Sequence, residues 1–126
     1  MPLYLIAHIT LMTLMTLLIG TGVILAHFKV QGWYTLHMRL TLTGVVLGSI
    51  GVAIVVIEKS IEGSPHLATP HEIVGAITML LVYITALSGV FIKRLPSSMR
   101  RGHKIVGRVS VILLLVSTIM GYLLIF

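Results

Sequence analysis

No cysteine occurs among the 126 residues, so the chain can supply neither a disulfide nor a thiolate-bound metal or iron–sulfur cluster. Acidic residues number three, and only 10% of positions are charged, against about 25% in a soluble domain. Flavin, nicotinamide and catalytic-metal motifs are missing too, so no catalytic site of its own is evident. Also missing is any connection long enough to fold as a soluble unit. What fills the chain is apolar: 57% of residues, with a mean hydropathy of +1.11.

Charge-free runs occupy 1–28, 40–57, 73–92 and 109–126. Each reaches or approaches the roughly 20 residues that cross a bilayer. The pattern predicts an all-α integral membrane protein, one domain over 1–126. Its helices, at about 3–28, 34–57, 70–93 and 98–126, form an up-down-up-down four-helix bundle. The first run lacks the basic n-region and small-residue cleavage site of a signal peptide and exceeds an h-region in length, so it stays a helix. Counting turns alternately, Lys29, Arg39, Lys93, Arg94, Arg100, Arg101, Lys104 and Arg108 share one side. Lys59 alone lies on the other, with Glu58, Glu62 and Glu72. The positive-inside rule makes the basic side cytoplasmic and puts both termini outside. Topology thereby accounts for the net charge of +6 with no nucleic-acid partner.

Local signals mark the ends. Gly32 closes a short inner turn, and Trp33-Tyr34 suit headgroup depth. Thr69-Pro70-His71-Glu72 reads as a helix start, with Thr69 as cap, Pro70 at the first position and Glu72 completing a capping box. Pro96-Ser97-Ser98 breaks the chain and offers a cap for the fourth helix.

A repeat organises the second half. His71-Glu-Ile-Val-Gly75, with Gly89 beyond, recurs as His103-Lys-Ile-Val-Gly107, with Gly121 beyond, at an offset of 32 residues. Eighteen residues make five helical turns, so each His shares a face with a Gly roughly 27 Å away. Helices 1 and 3 start outside, which puts His8 and His71 at the outer level. Helices 2 and 4 start inside, which puts His37 and His103 at the inner level. In an up-down-up-down bundle 1 faces 3 and 2 faces 4, giving one histidine pair near each membrane face. The small residues follow the same faces: Gly22 with His8, and Gly44, Gly48 and Gly51 with His37, all within about 40° at 100° per residue. They would thin each helix at the level of the other pair. Small-xxx-small packing between membrane helices explains glycines equally well. Four intramembrane histidines in level pairs are harder to explain structurally, because polar groups at that depth are costly and tend to be functional.

Zinc wants four close ligands, and these pairs lie a membrane width apart. Copper could use Met12 and Met15 on the His8 face, although Met in such helices is ordinarily filler. Two imidazoles facing across a gap suit haem iron. With both axial positions filled, the natural work is electron transfer. Arg39, Lys104 and Arg108 lie near the inner pair as candidate propionate partners, and they equally satisfy the positive-inside rule and bind anionic lipid headgroups. His27 suits a cap or lipid contact better than a ligand, and His66 sits in the outer loop, open to solvent, a quinone or a partner.

The ordered set resembles the four-helix core of the cytochrome b561 family: His8-x-x-Leu11-Met12 with Gly20 and Gly22, Trp33-x-x-x-His37, His71-x-x-x-Gly75, and His103-Lys104-x-x-Gly107-Arg108 with Gly121. The resemblance covers nearly the whole chain. Larger members have six helices, and this chain looks like the central four. Met38-Arg39 stands where many members have Arg directly after the second His. The basic segments associated with ascorbate use have no clear counterpart. The resemblance implies two haem b groups per chain, ligated by His8 with His71 and by His37 with His103, and electron transfer across a plasma (inner) membrane. With no catalytic motif of its own, the chain is expected to serve partners besides membrane lipid: a redox protein or complex subunits, with a quinone as a further candidate. Two other classes remain open at this point. One is a membrane anchor for a complex; the other is a small proton or solute transporter, against which no acidic residue lies between the two histidine levels.

Overall fold

A computed structural model describes residues 1–125; Phe126, the expected end of the fourth helix, lies outside the described residues. The elements are α1 (Leu3–Phe28), α2 (Trp33–Ile61), α3 (Pro70–Val90), a 3₁₀ turn (Ile92–Arg94) and α4 (Ser97–Leu123). All four α-helices are long and apolar enough to cross a membrane. α1 packs most extensively on α2, and α3 on α4. The two hairpins then meet along α1–α4 and α2–α3, which leaves α1 opposite α3 and α2 opposite α4. Residues 29–32 and 91–96 turn the chain at one end, the basic end; residues 62–69 turn it at the other.

The helix ends follow local chemistry. α1 closes with Lys29 in the left-handed region, φ 49, its N–H on the Leu25 carbonyl, a conformation more often given to glycine. Gly32, φ 71, supplies the next reversal and precedes α2. α2 continues past Ile57 to Ile61, because Glu58 and Lys59 are good helix formers and the end of the apolar run is no reason for the backbone to stop. Thr69 caps α3 by accepting from the Glu72 N–H at 3.3 Å. Glu72 does not close the box on Thr69: Oε2 accepts from the Ala68 N–H at 3.0 Å and Oε1 from Lys59 Nζ at 2.8 Å. The extra turn of α2 makes that ion pair reachable. α3 ends at Val90, before the expected 93, and α4 starts at Ser97 behind Pro96 with no side-chain cap. Thr69→Ala is expected to lower stability by about 1 kcal/mol, read as a lower midpoint of thermal unfolding in detergent.

Buried side chains gather at mid-height. Met15, Ile19, Met79, Val82 and Leu114 form the core, with Met15 and Leu114 almost wholly enclosed. Buried hydroxyls there are satisfied within their own helices: Thr16 donates to the Met12 carbonyl, Thr78 to Val74 and Ser110 to Val106, at 2.7–2.9 Å. Between the hairpins, Thr16 meets Thr118 at 2.9 Å, Ser49 meets Tyr83 at 2.8 Å and Thr13 meets Tyr122 at 2.8 Å. Most large apolar side chains point outward, Leu17, Leu80 and Ile112 among them. Such a surface suits hydrocarbon, where apolar exposure carries no penalty and helices associate through close packing and hydrogen bonds. The chain is an integral membrane protein built as a helical bundle.

Candidate functional site: two histidine-lined cavities

The histidines and distal glycines are paired by two reciprocal contacts, one in each hairpin. In the first hairpin His8 Nδ1 donates to the Gly51 carbonyl of α2 at 2.9 Å, and His37 Nδ1 donates to the Gly22 carbonyl of α1 at 3.0 Å. His8 and Gly22 are 14 residues apart, as are His37 and Gly51. In the second hairpin a Cβ on Gly121 would lie 3.0 Å from His71 Cε1, and one on Gly89 would lie 2.9 Å from His103 Cε1. The spacing there is 18 in both directions. Antiparallel helices with equal His-to-Gly spacing bring each ring over the other helix's glycine. The 32-residue repeat is therefore one half of a pairwise seat.

Above and below the core waist the diagonals open into cavities. One, of about 1060 Å³, lies at the basic end and is lined by His37 and His103 with Trp33, Thr85, Gly89 and Gly107. The other, of about 610 Å³, is lined by His8 and His71 with Met12, Gly75, Gly121 and Tyr122. Both are on the scale of ligand and cofactor pockets, about 300–1,000 Å³. The His37 and His103 ring centres stand 6.5 Å apart with planes at 90°. Two metal–imidazole bonds of about 2 Å, with about 1 Å from each nitrogen to its ring centre, give about 6 Å across a single metal ion. His8 and His37 each spend the Nδ1 hydrogen on a carbonyl, which leaves the Nε2 lone pair as the available ligand. His103 Nδ1 meets Ser88 Oγ at 2.9 Å, with the same consequence. His71 Nδ1 is buried with no side-chain partner, and the Ser117 backbone lies near its ring. Among the described residues no group of three or more His, Cys, Asp or Glu could hold a bare metal ion. At the basic end the donor set, the ring spacing and the cavity volume fit an iron macrocycle that His37 and His103 would hold between them.

The other candidate residues fall into distinct sets. Gly75, Gly89, Gly107 and Gly121 line the cavities. Gly22, Gly44 and Gly48 do not; they are buried where α1 meets α2. A Cβ on Gly44 would sit 2.8 Å from Ile19 Cγ1, and one on Gly48 would overlap Met15 Sδ. These two make room for the neighbouring helix, as membrane glycines commonly do. Gly44→Ala is expected to cost about 1–3 kcal/mol of overpacking. It should lower the unfolding midpoint without favouring either cavity. Met15 is core packing against Gly48, so it is no copper ligand beside His8. Arg39 is exposed and lines neither cavity, whereas Lys104 and Arg108 line the basic one. Lys29, Lys93, Arg100 and Arg101 join them there, and no carboxylate does. Composition flagged these four only as topology signals. Lys93 Nζ lies 4.8 Å over the Tyr34 ring. His27 reaches the wall of the basic cavity and His66 that of the other, where its Nε2 meets Ser60 Oγ at 3.2 Å. Ser88 was not among the sequence candidates; the one signal available is that, of the two residues immediately before the distal glycines, Ser88 carries a hydroxyl and Met120 does not.

A family model described as eukaryotic cytochrome b561 matches residues 2–126. No curated protein and no solved structure matches the chain. The family model spans the four helices and both histidine pairs together, and membership carries with it b-type haem and electron transfer across a membrane. The chain belongs to the cytochrome b561 family.

Proposed function

We propose that this protein carries electrons across the membrane with two b-type haems, one between His8 and His71 and one between His37 and His103. The facing His37 and His103 rings, 6.5 Å apart on a cavity wall, carry this reading. Bound there, each haem would supply a reversible one-electron site. The protein's own contribution is placement. Carbonyls of Gly51 and Gly22 and the Ser88 hydroxyl hold three imidazoles with Nε2 free. Lys104, Arg108, Arg100 and Arg101 offer charge to carboxylate groups at the basic end. Lys59 and His66 stand at the other cavity. Met15, Met79, Val82 and Leu114 keep water from the waist between them and lower its dielectric.

The excess of basic side chains at one end supports a cytoplasmic basic end with both termini outside, and the membrane we propose is a plasma (inner) membrane. Donor and acceptor would be a quinone, a redox protein or subunits of a larger complex, meeting the bundle at its two ends. The test is haem per chain in purified protein produced with ample haem, together with a reduced-minus-oxidised spectrum. Two b-type haems per chain support the proposal. One haem removes the two-site arrangement, and none replaces it with a membrane anchor.

A further inference from the structure

The two halves of the α3–α4 repeat differ where one more hydrogen bond could be made. Each histidine of the pair rests on the other helix's glycine: His103 on Gly89 and His71 on Gly121. The residue just before the glycine is Ser88 in one case and Met120 in the other. Ser88 Oγ donates to the Thr85 carbonyl at 2.9 Å, which uses its only hydrogen. Its oxygen therefore accepts from His103 Nδ1–H at 2.9 Å. Met120 offers no hydroxyl, and His71 Nδ1 is buried with no side-chain hydrogen bond, only the Ser117 backbone lying near its ring. At the basic end both histidines are thus anchored, His37 by the Gly22 carbonyl and His103 by Ser88. At the other end His8 has the Gly51 carbonyl, and His71 has no counterpart of the Ser88 bond.

We infer that Ser88 is a positioning residue: it orients His103, and through that hydrogen bond it makes the basic-end haem site unlike the opposite one. This rests on the two-haem reading above. A hydrogen bond to the far nitrogen of a ligating imidazole fixes ring orientation and tautomer and raises ligand basicity. A more basic ligand favours the oxidised metal, so the bond lowers the potential of the site it serves. Ser88 touches neither the metal position nor a substrate, and its effect passes wholly through His103.

The test compares parent, Ser88→Ala, Ser88→Thr and Met120→Ser by spectroscopic redox titration and by EPR of the oxidised haems. Ser88→Ala is expected to raise the midpoint potential of the His37–His103 haem alone and to weaken its retention about tenfold or more. Each tenfold change in relative affinity for the two oxidation states corresponds to about 59 mV for one electron. Ser88→Thr keeps the hydroxyl and should retain parent values. Met120→Ser should lower the potential of the His8–His71 haem and leave the other unchanged. Ser88→Ala protein that keeps both haems at parent potentials, or shifts both alike, overturns the inference. Should Ser88→Ala not assemble, an unshifted Met120→Ser overturns it instead. Failure of the parent to bind two haems is a separate result, and it overturns the proposed function.

Discussion

On the proposed two-haem arrangement, His71→Ala is expected to halve haem content, from two per chain to one, and His103→Ala to do the same by removing the other haem. The two histidines share a hairpin and a repeat, yet they line different cavities. Without one of the two imidazoles proposed to hold it, a haem would be left with a single protein ligand in a cavity whose remaining walls are mostly apolar. Loss of a group that merely hydrogen-bonds a ligand commonly costs 10–100-fold in metal affinity, about 1.4–2.7 kcal/mol. Removal of the ligand itself should cost more. The measurement is haem per chain with the reduced-minus-oxidised spectrum of each variant. Different residual spectra in the two variants would establish separate sites. Retention of both haems by either variant would remove that histidine from the ligand set.

Gly121→Ala and Gly89→Ala are the second pair with large expected effects, and they test the seats rather than the ligands. A Cβ at Gly121 would lie 3.0 Å from His71 Cε1, and one at Gly89 would lie 2.9 Å from His103 Cε1. Both are closer than ordinary van der Waals contact, so each imidazole must tilt or its helix must retreat. Overpacking of this kind costs about 1–3 kcal/mol. Here it acts on the ring whose Nε2 position matters. Gly121→Ala should deplete the proposed His8–His71 haem and Gly89→Ala the His37–His103 haem, by about 5- to 150-fold in affinity if the whole cost falls on binding. Gly20→Ala is the control, since no atom lies within 4 Å of the added Cβ. Equal loss from all three variants would show general destabilisation and remove the seat.

Four transmembrane spans and the helical class were legible because hydrocarbon demands long charge-free helices, and charge-free runs are visible one residue at a time. Family membership was legible for a related reason: the ordered histidine and glycine spacings are themselves properties of the chain. Periodicity shows which residues share a face, but it does not name the partner across that face. Gly44 and Gly75 read alike in sequence, and only helix packing sends one against Ile19 and the other to a cavity wall. Arg39 and Lys104 likewise both sit early in a basic-end helix, and helix rotation decides that only Lys104 lines the cavity. The helix ends departed from expectation where charge was taken as a boundary, since Glu58 and Lys59 extend α2 as readily as apolar residues would. The reciprocal seats and the Ser88 bond were decided by tertiary structure alone. A hydrogen bond between helices depends on the register of two antiparallel rods, and that register is set by the whole interface, from Met15 against Gly48 to His103 above Gly89.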